Sequence, residues 1–161
     1  VRGGALPPAL LCAALGFALA FARRRALTPC FAAFLAAALG IARLHIDPSW
    51  KDAAFMGCWA SVVIAAVSVH LPRGLGSRLA VALALNTGVW TGAVIALAGA
   101  PLDLAKSLPW VLLCLPGGWI VANGRSIFLK VAASWLIAVA VLVATLPVVT
   151  PTPGYVPDHM D

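Results

Sequence analysis

Polar residues are sparse along this chain and fall in short clusters, and the stretches between the clusters are apolar and of membrane length. The clearest is 78–100, RLAVALALNTGVWTGAVIALAGA. At 1.5 Å of rise per residue it reaches about 34 Å, slightly more than a hydrocarbon core of about 30 Å. Its polarity is confined to the middle third, at Asn86, Thr87 and Thr91. Gly88, Gly92, Ala96 and Ala100 recur every fourth residue, which gives one smooth face on which a second helix can lie close.

The same pattern predicts five more helices, so the expected fold is an all-α polytopic membrane bundle of six transmembrane helices over 7–22, 29–44, 48–70, 78–99, 109–123 and 126–147. Arg23, Arg24 and Arg25 stop the first. Thr28-Pro29 and Asp47-Pro48 are cap-then-proline starts for the second and third, because proline at the first helical position loses no needed N–H. Ser77 and Ser126 are expected to cap the fourth and sixth. Ala14, Ala18 and Ala22 repeat the small-residue stripe on the first helix. The fifth carries Pro116-Gly117-Gly118 at its centre, which removes a backbone donor and frees carbonyls that lipid cannot satisfy. A kinked span with its hinge at those three residues is expected, with a re-entrant hairpin as the alternative. The tail 148–161 is proline-rich and is expected to be extended outside the membrane.

Composition sharpens this picture. The 161 residues are 63% hydrophobic and 10% charged, against about 25% charged in ordinary soluble domains. One domain with nearly all of its mass in the lipid bilayer is implied. The net charge of +6 does not indicate nucleic acid, since the basic residues stand singly or as one triplet at helix ends. They read instead as orientation signals. The loops between helices 1–2, 3–4 and 5–6 hold Arg23, Arg24, Arg25, Arg73, Arg78, Arg125 and Lys130, and the other side holds Arg2, Arg43, Lys51 and Lys106. By the positive-inside rule both termini face away from the cytoplasm, in an inner (plasma) membrane. Residues 1–22 resemble a secretion signal, yet they run into the arginine triplet without a clean cleavage site and are expected to persist as the first helix.

Cys12, Cys30, Cys58 and Cys114 each lie inside an apolar stretch without metal or redox spacing, and are expected to pack as small apolar groups. WASVVIAAVSVHLP (59–72) and WLIAVAVLVATLP (135–147) run alike from tryptophan to Leu-Pro, the mark of a possible 3+3 inverted repeat as found in transporters.

Candidate chemistry is mostly limited by absence. The acids are Asp47, Asp52, Asp103, Asp158 and Asp161, all in expected loops, helix starts or the tail, and the chain has no glutamate. No coupling acid or aspartyl pair is expected at membrane depth. His70 reads as interfacial. Ser61 and Ser68 share a helix face that His70 does not share, and Ser126 with Lys130 reads as a cap beside a snorkelling lysine. His45, Asp47, Asp52, Asp103, Asp158 and His159 gather on the non-cytoplasmic side in this threading, but no helical ligand pair fixes a metal geometry. Neither metal nor cofactor is expected, nor an enzyme.

What remains is the polar centre of the fourth helix. Asn86 and Trp90 are four apart, as are Thr87 and Thr91, so an amide, an indole and two hydroxyls occupy adjacent stripes. The expected function is a small-solute permease, or the substrate-binding subunit of one. Asn86, Thr87, Trp90 and Thr91 would contact a small polar or aromatic solute, while Trp59, Trp119 and Trp135 line the same space or simply pack. The alternative is a non-catalytic interaction or assembly subunit whose small-residue faces, Gly88, Gly92 and Ala96 among them, dock another membrane protein or a second copy.

Overall fold

The computed structural model describes residues 6–72 and 74–146. It is all-helical: α1 Leu6–Leu19, α2 Arg24–Ala42, α3 Lys51–Ser68 entered through a single 3-10 turn at Pro48–Trp50, α4 Ser77–Ala98, α5 Pro101–Val111, α6 Cys114–Ala122 and α7 Ile127–Thr145. Arg24–Ala42, Pro48–Ser68, Ser77–Ala98, Leu102–Ala122 and Ile127–Thr145 are long and apolar enough to cross a membrane, and Leu6–Leu19 is a shorter apolar helix. Such a chain is compatible with an integral membrane protein. The expected tail at 148–161 lies outside the described residues.

The shortest of the six apolar stretches is the axis of the bundle. Ten of the 14 residues of α1 are buried, and it touches α3, α4, α5, α6 and α7. Shielded by protein on all of these sides, it does not have to match the hydrocarbon thickness with its own length. α2 is the opposite case. It leans chiefly on α4 and buries Ala26, Cys30, Phe34 and Ala38, a single stripe at four-residue spacing.

Close approach without side chains holds these contacts. A Cβ placed on Gly88 would lie 2.5 Å from the Phe34 carbonyl oxygen, and one on Gly92 would lie 2.6 Å from that of Ala38. The contacts advance in the same direction along both helices, so α2 and α4 are parallel. Gly16 brings α1 onto α5, where a Cβ would sit 2.8 Å from the Trp110 carbonyl oxygen. Gly117 brings α6 onto α1 at Ala20, again 2.8 Å.

Several boundaries differ from those expected, each for a local reason. α2 begins at Arg24 and not at 29, with extended Arg23 as its cap and Pro29 inside the helix. The carbonyl that Pro29 leaves without a donor belongs to exposed Arg25, at the end of the bundle. α5 begins at Pro101, eight residues before the expected start. Asp103 reaches back to accept from the Ala100 backbone N–H at 2.9 Å, an N-terminal contact that the proline at the first helical position complements. Of the four expected side-chain caps, Asp47 alone forms, accepting from the Ser49 N–H at 2.8 Å. That bond holds its carboxyl below the usual carboxylate range.

The break between α5 and α6 falls at Leu112–Leu113, one turn before Pro116. Pro116 cannot donate to the Leu112 carbonyl and its ring crowds it. The Leu112 oxygen accepts from Leu115 N–H at 3.0 Å instead, a tighter i+3 bond, and the regular pattern resumes with Gly117 N–H on Leu113 at 2.9 Å. Pro116, Gly117 and Gly118 are themselves helical.

Gly88→Leu is expected to destabilise the protein by about 3 kcal/mol, because backbone and not a flexible side chain fills the space. Gly40→Ala, on the same α2 but with nothing within 4 Å, is expected to leave stability unchanged or raise it by up to about 1 kcal/mol. Thermal unfolding midpoints in one detergent, compared across the two variants, check both.

Candidate functional site

The polar centre of α4 is brought together with α3 and α1. Asn86 Nδ2–H donates to Ser61 Oγ at 2.8 Å, and Trp90 Nε1–H donates to Asn86 Oδ1 at 3.1 Å. Both ends of the amide are thereby engaged, one across to α3 and one along α4. The Trp90 ring lies against Gly57, where any side chain would collide with it. Residue 86 meets 61 while 90 meets 57, so α3 and α4 are antiparallel and the amide and the indole clasp them at two successive turns. Asn86 and Trp90 are half-buried, whereas Ser61 is buried.

Thr87 and Thr91 are both fully buried, on the neighbouring stripe of α4. The Thr91 hydroxyl lies 4.0 Å from the Cys12 sulfur, a weak polar contact with α1. The Thr87 hydroxyl finds no hydrogen-bond partner among the described residues. In a packed apolar surrounding such a group raises the energy of the fold, and it is the one place in this cluster where an additional polar atom would be welcome.

The other expected site residues are dispersed. Gly88 and Gly92 are covered by α2 within the same chain, and Ala96 is exposed. Ala14 and Ala18 of the first helix are likewise buried inside the bundle. The small-residue faces expected to dock other proteins are thus mostly occupied internally. Gly117 packs on α1, while Gly118 has no atom nearer than 3.9 Å to the place of a Cβ. Trp59 is buried, but Trp119 and Trp135 are 64% and 61% exposed, so the tryptophans do not share one space.

The chain matches no protein-family model, no curated protein and no solved structure. Its site therefore has to be read from its own geometry.

Two features went unanticipated. Ser134 on α7 lies 3.2 Å from His70 Nε2, and His70 Nδ1 lies 3.3 Å from the Ala66 carbonyl oxygen. A carbonyl only accepts, so Nδ1 carries the proton and in the neutral ring Nε2 accepts from the Ser134 hydroxyl. This ties the end of α3 to α7. No spacing rule could have found it, because the partners stand 64 residues apart on different helices. Ser68, expected on a different face from His70, donates to its own helix at the Ala65 carbonyl, 2.6 Å away.

The second is a groove of about 340 Å³ formed by the last turn of α1, the first turn of α2 and one face of α6. None of its lining residues comes from α3 or α4, so it does not reach Asn86. Among the described residues no three histidine, cysteine or acidic side chains gather as a metal site. The ion pair between Lys106 and Asp103, at 3.4 Å, lies in the first turns of α5.

In a double-mutant cycle, Ser61→Ala and Asn86→Ala are expected to couple by about 0.6 kcal/mol, the average for hydrogen bonds between membrane helices, and by no more than about 1.7 kcal/mol. Unfolding free energies of the two single variants and the double variant in bicelles provide the measurement. Trp90→Phe is expected to lose the indole bond but to keep the contact over Gly57, and so to cost less than Trp90→Ala.

Proposed function

We propose that the chain is a six-span inner-membrane protein with its arginine-rich end in the cytoplasm, and that it serves as a non-catalytic interaction or assembly subunit rather than as a conductor of solute, meeting its partners through surfaces other than the small-residue faces that it fills itself. The observation that carries this reading is the engagement of Asn86 at both ends, by Ser61 and by Trp90. An amide that must release a helix clasp before it can hold a solute is poorly suited to recognition. Its bonds are better suited to fixing the α3–α4 register.

Threading is supported by direction as well as by charge. α1, α3 and the α5–α6 pair run toward the end that carries Arg24, and α2, α4 and α7 start from it, an alternation that fits six passes with Leu6 and Leu146 at the end opposite the arginines. The positive-inside rule makes that opposite end the non-cytoplasmic one in this reading. The inverted repeat draws no support from its tryptophans, since Trp59 is buried and Trp135 is exposed.

A second reading, the small-solute permease, is favoured by one observation. The Thr87 hydroxyl is buried without a partner among the described residues, one turn from Thr91 and its contact with Cys12. A polar solute entering between α1 and α4 would complete it, with Asn86 and Trp90 released to join in and the α5–α6 break giving way.

Water access separates the two. In a variant whose native cysteines are replaced by alanine, Asn86→Cys and Thr87→Cys are expected to resist a small charged thiosulfonate reagent in intact cells, while Lys51→Cys at the exposed start of α3 reacts. Reaction at residues 86 and 87 under the same conditions would establish an aqueous path and restore the permease.

A further inference from the structure

Ionisable groups are distributed unequally between the two ends of the bundle. At one end, Leu75 N–H donates to the Phe21 carbonyl at 3.3 Å, which joins the α1–α2 connection to the α3–α4 connection. Arg24 and Ala122 line the same groove, which brings in the α6–α7 connection. That end therefore gathers Arg23, Arg24, Arg25, Arg78, Arg125 and Lys130, with no carboxylate among the described residues. The other end sets Arg43, Lys51 and Lys106 against Asp47, Asp52 and Asp103, which cancel.

The groove reaches the cationic end, where Arg24 lines it. It extends along α6 from Ala122 back to Cys114, about 12 Å at 1.5 Å per residue, toward the interior of the membrane. Leu19 and Ala20 form a buried floor, and Leu27 and Leu115 form apolar walls. Gly118 keeps the α6 wall hollow, since nothing stands within 3.9 Å of its missing Cβ. A ligand suited to both parts has an anion at one end and hydrocarbon behind it. A free phosphate would leave the apolar walls unused. A zwitterionic headgroup would meet cations with no acid to receive its ammonium.

We infer that this groove seats an anionic phospholipid, with one acyl chain along α6 and the phosphate against Arg24. Guanidinium suits a phosphodiester because its planar fork donates two parallel hydrogen bonds. Five further cations stand at the same end of the bundle without lining the groove, and they exclude positively charged competitors and concentrate anionic lipid at that face. The groove also explains why Gly118 and Gly117 differ in surroundings: one leaves space for a ligand and the other brings α1 into contact.

The test uses the full chain in a mild detergent micelle containing equal phosphatidylglycerol and phosphatidylcholine, with bound lipid counted by native mass spectrometry. Phosphatidylglycerol is expected to be retained in preference, one molecule per chain before any other. Arg24→Gln is expected to weaken that retention roughly five-fold, Arg24→Lys much less, and Arg78→Gln, at the same end but off the groove, by under about two-fold. Gly118→Leu, which fills the groove, is expected to abolish it. Since leucine could also disturb the helix, Gly118→Ala is measured beside it, which should fold normally and retain the lipid. Equal losses from Arg24→Gln and Arg78→Gln would mean diffuse attraction to the whole end and would overturn the proposal. So would equal retention of phosphatidylcholine. Displacement of the lipid by inorganic phosphate alone would show a free-anion site and would also overturn it.

Discussion

Helices in this chain meet backbone to backbone, and the architecture depends on that closeness. Lipid tails are as apolar as leucine, so association of apolar helices gains little from leaving lipid and must gain from dispersion at short range. Gly16, Gly57, Gly88, Gly92 and Gly117 each stand where a Cβ would collide with a neighbouring helix. Four of the five place backbone or alanine opposite the gap, while Gly57 receives the Trp90 ring. The result is a bundle in which α1 can be surrounded by five other helices.

Polar groups act on this scaffold as fasteners. Asn86 joins α4 to α3 through Ser61, Ser134 joins α7 to α3 through His70, and Thr91 with Cys12 makes a weaker contact between α4 and α1. Within the membrane such bonds are individually modest, about 0.6 kcal/mol on average, and they matter more for register than for total stability. Thr87 is the exception, a buried hydroxyl without a partner among the described residues.

Much of the helical layout was legible in the sequence, because length and hydropathy specify a membrane helix almost alone. The glycine stripe of α4 was legible as a packing face, though the sequence did not reveal that its partner is α2 of the same chain. Local hydrogen bonding was harder to read. Asp103, three residues past Ala100, completes an N-terminus eight residues before the start expected at 109. Pro116 advertised a break, and the displaced bond falls four residues upstream because that is where its missing N–H is felt. The amide, indole and hydroxyls of α4 were identified as a cluster, while their partners Ser61 and Gly57 depended on how α3 lies against them. The centrality of α1 was not readable from periodicity, since an apolar helix shows no polar side whether it faces lipid or protein.

The parallel pairing of α2 with α4 bears on how the molecule is made. α2 leans chiefly on a helix whose last residue, Ala98, is 56 positions beyond its own end at Ala42. At ribosomal speeds of about 5–20 residues per second, roughly three to eleven seconds separate the completion of the two. Through that interval α2 has little to hold it besides lipid and the arginines at its start. Biogenesis thus includes a waiting state in which the Phe34–Ala38 ridge is bare, and the nascent chain is then most open to capture by an insertion chaperone or to pairing with the wrong neighbour.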